Sequence, residues 1–257
     1  MCMVCPKCGF EQADENKECL KCGIIFEKYI YHRQQRDIHD ESFPDINTGD
    51  KDTHGNFDVN ETHILKRILL HVDEQINPLY FAGRIIVFLI IVVLGARIVL
   101  TPIGSIYTVC TFIHLINLPF HEAGHIFFRL FGAFVTSVGG SIGQLLMPLI
   151  CMLVLLVKTR DPFGASVAMW WFGENFLDIA PYINDANRLV LPLLGGNTGQ
   201  TAPYGFHDWE YILTEAGIVD HAQTIAGGSF VIGSVIMLIS YSWAGYNLYQ
   251  QYQHLEK

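Results

Sequence analysis

Charged side chains are scarce in this chain. Asp, Glu, Lys and Arg make up 16% of its 257 residues, against about 25% in soluble domains. Most of them crowd into the first third and apolar runs fill the remainder, so a polar head joined to a membrane body is expected. No basic stripe is present and the net charge is -9, which excludes nucleic acid as a partner because nothing would neutralise its phosphates. An early apolar run is missing too: the first begins near Leu79, so no cleavable signal peptide is expected and the first span would serve as signal anchor.

Cysteine is present in a pattern. Of seven cysteines, four form two C-x-x-C pairs, Cys5 with Cys8 and Cys19 with Cys22, followed by Gly9 and Gly23 where such turns need positive φ. Two reduced pairs or a redox motif would be the plainer reading, but paired spacing points to four thiolates around one structural zinc. Residues 1–30 then form a zinc ribbon in a reducing compartment, the cytoplasm, with the metal supplying much of the folding energy. Cys2 lies close enough to Cys5 to compete for a ligand position.

Residues 31–60 are polar and aperiodic and read as a flexible linker whose His32, His39 and His54 are solvated. Over 61–78, Ile64, Leu65, Ile68, Leu69, Val72 and Ile76 recur at helical spacing, as in an amphipathic helix on the membrane surface or one packed on the ribbon. The body, 79–257, is expected to be an all-α polytopic membrane domain of about five spans, at 81–100, 104–131, 141–157, 162–185 and 222–246. Residues 186–221 are too broken by Gly and Pro to span and form a long loop, with His207-Asp208-Trp209 as an interfacial element. Gly139, Gly140 and Gly143 form a small-residue patch suited to close helix packing.

Two expected spans contain ionisable residues, which are costly in lipid and mark function. One carries His114 and the motif His121-Glu122-Ala123-Gly124-His125; the other carries Glu174 and Asp178. On a helix the two motif histidines lie one turn apart on one face, so both imidazoles reach one zinc, and Glu122 stands beside them to take a proton from the water that zinc activates. A structural pair of histidines would leave the carboxylate unexplained. Membrane desaturases and hydroxylases need more histidine clusters than this sequence has.

The stretch HEAGHIFFRLFGAFV resembles the site-2 protease family of intramembrane zinc metalloproteases, with Gly124 inside the motif and Gly132 seven residues after it. The resemblance covers 104–185 and implies three core transmembrane helices, with an aspartate ligand on the third. The family's Leu-Asp-Gly signature is altered: Leu177-Asp178 is followed by Ile179. If the ribbon is cytosolic the two polar spans run parallel, and at about 1.5 Å per residue Asp178 and Asp185 both fall within reach of the histidine pair. The Leu-Asp context favours Asp178 as third ligand, with Asp185, Glu174 and His207 as alternatives. Asn175 is a candidate for oxyanion stabilisation or for a hydrogen bond between helices, and His114 and Asn117 for support of the ligands.

The expected activity is hydrolysis of peptide bonds in membrane protein or peptide substrates. His121, His125 and Asp178 would hold the catalytic zinc, and Glu122 would act as general base and then as proton donor. The ribbon would recruit a substrate or a regulator. A non-proteolytic membrane metallohydrolase would use the same residues. An inactive scaffold or chaperone of the same fold would be expected to have lost Glu122 or a histidine, and neither is lost.

Overall fold

The computed structural model describes residues 2–5, 10–13, 17–22, 24–26, 68–71, 76–109 and 111–255. Cys8, the expected linker at 31–60 and most of 61–78 lie outside them. The chain divides into two units, Met1–Gly55 and Asn56–Lys257.

In the first unit, strands β1 (Cys2–Val4) and β2 (Glu11–Ala13) pair antiparallel with Met3 opposite Gln12. Beyond β1 the Cys5 amide donates to the Phe10 carbonyl, and the Cys19 amide donates to that of Ile24, both at 2.9 Å. The two cysteine arms therefore close with the same hairpin spacing. Cys5, Cys19 and Phe26 are buried, with Cys22 and Ile24 packed against them. Among the described residues of this unit few apolar side chains are buried, so a metal cross-link would add to its stability.

The second unit is mostly helical. Its helices are α1 (Pro78–Val99), α2 (Ile106–Val109), α3 (Thr111–Phe128), α4 (Ala133–Val157), α5 (Pro162–Asp185), α6 (Asp208–Glu215) and α7 (Ala222–Leu255). Sequence sets the starts of α1 and α5 in the same way. Asn77 and Asp161 accept amide hydrogen bonds from Leu79 and Gly164, and a proline fills each first helical position. Asp161 also accepts from Arg84 of α1 at 3.1 Å, tying the two helix starts together.

Three segments are long and apolar enough to cross a membrane: Pro78–Val99, Ala133–Val157 and Val219–Leu255. Their outward faces expose residues such as Ile86, Ile90, Val93, Ile150, Leu153, Val231 and Leu238. A continuous apolar surface of that kind is a liability in water and a match for lipid. The more polar α5 is packed among them, with most of its side chains buried. Its contact with α7 is close, because a Cβ at Gly173 would come within 2.9 Å of the Gly233 carbonyl oxygen. Tyr241 of α7 joins three helices: it accepts from Trp170 Nε1 at 2.8 Å and donates to the Ile91 carbonyl at 3.0 Å.

Candidate metal centre

The histidine motif lies in the last two turns of α3, and α4 folds back against it. The chain reverses at Gly132, whose φ of +93° is unfavourable for residues with a Cβ. Glycines then bring the two backbones together. A Cβ on Gly124 would strike the Gly139 carbonyl, and one on Gly143 would lie 2.6 Å from the Phe120 carbonyl oxygen. The expected small-residue patch is thus the α3–α4 seam, and α4 begins well before the span expected at 141–157.

The seam fixes both imidazoles. His125 Nδ1 lies 2.8 Å from the Thr136 carbonyl oxygen, which can only accept, so Nδ1 carries the hydrogen. His121 Nδ1 lies 3.2 Å from Gln144 Oε1 and donates in the same sense. Each Nε2 is then left with its lone pair, and both point to one place. His121 Nε2 is 3.1 Å and His125 Nε2 3.2 Å from the same oxygen, Oδ2 of Asp208. Gly140 makes room beneath them, since a Cβ there would lie 2.6 Å from His125 Nε2 and 2.7 Å from His121 Nε2.

Three acceptors aimed at one another repel unless a cation or protons lie between them. Their spacing suits a metal: bonds of about 2.0–2.1 Å in a tetrahedron put ligand atoms about 3.3 Å apart. Asp208 is the first residue of α6, whose start His207 caps by accepting from the Glu210 amide at 3.1 Å. Without a metal, burial pushes the Asp208 carboxyl up, but protons on the two Nε2 atoms then donate to it, and these hydrogen bonds and charges hold it below the ordinary aspartate value.

The carboxylate that meets both histidines is that of Asp208, not that of Asp178. Among the described residues the group able to hold a metal here is His121, His125 and Asp208. Asp178 has the right depth along α5, but Gln144 stands between it and His121. Its oxygens accept instead from Gln144 Nε2 at 2.7 Å and Asn117 Nδ2 at 3.0 Å, with His114 Nδ1 at 3.0 Å. Of the alternatives, Glu174 is fully buried and accepts from Asn117 at 3.1 Å. Asp185 is spent on the following loop, accepting from the Val190 and Leu191 amides at 3.2 and 2.8 Å. His207 is buried, which lowers its pKa, and its Nε2 faces Asp185 at 3.7 Å. Asn175 donates to the Trp171 carbonyl within its own helix and does not line the cavity.

Comparison with protein-family models, curated proteins and solved structures yields no match. The chemistry must therefore be read from the site itself.

The site opens on a cavity of about 630 Å³. Glu122, His114, Ser141 and Asp178 contribute to its polar lining, and Leu115, Ile179, Leu193 and Phe206 to its apolar lining. No hydrogen bond or ion pair among the described residues engages Glu122, so its carboxylate is available at the wall. In the N-terminal unit the sulfurs of Cys5, Cys19 and Cys22 lie within 4.8 Å of one another, and those of Cys5 and Cys22 are 3.8 Å apart. That is the sulfur–sulfur edge of a tetrahedron with bonds of about 2.3 Å. Burial opposes ionisation of Cys19, yet the Cys22 and Lys21 amides and the neighbouring sulfurs bring its pKa down to about 6.

Proposed function

We propose that this chain is an intramembrane zinc metalloprotease of the site-2 protease type, with α1, α3, α4, α5 and α7 crossing the bilayer and a zinc ribbon in the cytoplasm. One observation carries the reading: two histidines with their Nδ1 hydrogens committed elsewhere converge with a carboxylate on one point, beside a free glutamate and a cavity. His121, His125 and Asp208 would hold the catalytic zinc, and Cys5, Cys8, Cys19 and Cys22 a structural one. With three protein ligands, a zinc ion held there would supply Lewis acidity to a carbonyl and acidify water. Glu122 takes the proton from the attacking water and passes it to the leaving amine. The apolar part of the wall accepts side chains of an extended segment of a membrane protein.

The deciding experiment uses the full chain reconstituted in liposomes with quenched peptides and single-span membrane proteins as substrates. Glu122→Gln is expected to keep both zinc ions while cleavage falls by about 10²–10⁴-fold, since the amide has the shape of the acid without its basicity. Asp208→Ala, His121→Ala and His125→Ala are expected to lose one zinc. Cleavage by Glu122→Gln at the wild-type rate would overturn the protease assignment.

A further inference from the structure

A chain of side chains leads away from the metal centre into the protein, and every link in it has a fixed direction. It starts at Trp171, whose indole N–H can only donate; it reaches Asn117 Oδ1 at 2.7 Å. With its oxygen so engaged, Asn117 turns its amino group to Asp178 Oδ2 at 3.0 Å. The Asp178 carboxylate can only accept, so the neighbouring amide of Gln144 must present Nε2 to it, at 2.7 Å. The other end of that amide, Oε1, then faces His121 Nδ1 at 3.2 Å. Asn117, Gln144 and Asp178 are all buried, with Gln144 and Asp178 at the cavity wall.

The direction matters because a free glutamine amide can turn over. A reversed Gln144 would offer N–H to Nδ1 of His121, and the ring hydrogen would shift to Nε2, where it blocks the lone pair aimed at the Asp208 site. His125 needs no such device, because its Nδ1 donates to a backbone carbonyl that cannot flip. We propose that Gln144 and Asp178 are a positioning pair for the metal centre: Asp178 holds the Gln144 amide in one orientation, and Gln144 thereby holds His121 in the tautomer that binds metal. This inference rests on the metal reading given above. It assigns Asp178 a role one side chain removed from ligation, and outer partners of this kind raise ligand basicity as well as fixing ring orientation.

The test is the affinity of the full chain for Co2+, read by absorption, in which the thiolate charge-transfer band reports the cysteine site separately from the histidine site. Gln144→Leu, close in shape and without an acceptor, is expected to weaken the histidine site by about 10–100-fold and leave the thiolate band unchanged. Histidine nitrogen NMR should show His121 changing from a single Nδ1–H form to a mixture. Asp178→Ala, which leaves the Gln144 amide free to turn over, is expected to weaken the same site and to give the same mixture of His121 tautomers. Circular dichroism unchanged from wild type in both variants guards against a loss caused by misfolding. If Gln144→Leu binds as tightly as wild type while His121→Ala does not bind, the positioning pair is refuted and the metal centre stands. If His121→Ala binds as wild type, the metal centre falls and the inference with it.

Discussion

At Gly140 a hydrogen stands where any other residue would set a carbon against both imidazoles. Because Gln144 and the Thr136 carbonyl hold the rings from their other side, neither ring can swing away cheaply. Gly140→Ala is therefore expected to lose most of the histidine-site metal while helical content stays near wild type, as metal analysis and circular dichroism would show. Full metal occupancy in that variant would mean that the rings have more freedom than this geometry allows. At this scale much of the site was legible in the sequence. His121, Glu122 and His125 announce themselves by helical spacing, and the glycine patch by composition. Asp208 did not, because it meets His121 across 87 positions, and no local periodicity encodes such a contact. The signal available was an acidic residue beside His207 at a helix start, and a helix-start aspartate is ordinarily stabilised there without any metal. Asp178 drew attention for its Leu-Asp context and its depth along an expected span; depth along a helix axis does not say which side chain lies between.

Among the elements, the apolar helices were the easiest to foresee, because length and hydropathy define them. The helix expected at 162–185 coincides with α5, whose flanking Asp161-Pro162 is a start signal, but α5 is not among the three described segments long and apolar enough to cross a membrane. The expected span at 141–157 began too late, because the glycines and small residues preceding it do not look apolar enough, yet pack α4 on α3. The last helix, expected at 222–246, continues to Leu255 through a polar stretch in which Gln250 donates to Tyr246 and Gln253 to Tyr249. The loop at 186–221 hides α6, since eight residues of mixed polarity give little periodic signal. The N-terminal element carries its own prediction. Cys5→Ser/Cys8→Ser is expected to release about one zinc per chain and unfold residues 1–30 without altering the helical unit. Unchanged zinc stoichiometry would count against the ribbon. Acidification offers a second handle: Cys19, with its pKa near 6, is mainly thiolate at pH 7 in the metal-free unit, and metal uptake should weaken as pH falls through that value.

For the whole molecule the open variable is orientation. The proposed site of four thiolates calls for a reducing compartment, so the N-terminal unit, Arg129 and Arg188 are expected on the cytoplasmic side, with Lys158 and Arg160 opposite. The last two run against the usual bias of basic residues, so the thiols decide the assignment. A cysteine introduced within 32–60 should resist an impermeant maleimide in intact cells and react after lysis. Labelling before lysis would reverse the orientation and remove the reason for placing the thiolates in a reducing environment.

The distance in sequence between His121 and Asp208 has a meaning in time. Translation adds about 5–20 residues per second, so the 87 positions between them separate the synthesis of the histidine motif from that of its third partner by about 4–17 s. Through that interval the nascent chain holds two imidazoles and a glutamate but no finished centre. On the proposed reading, a newly made chain is thus inert towards its neighbours in the membrane until the loop after α5 has been made and α6 has docked.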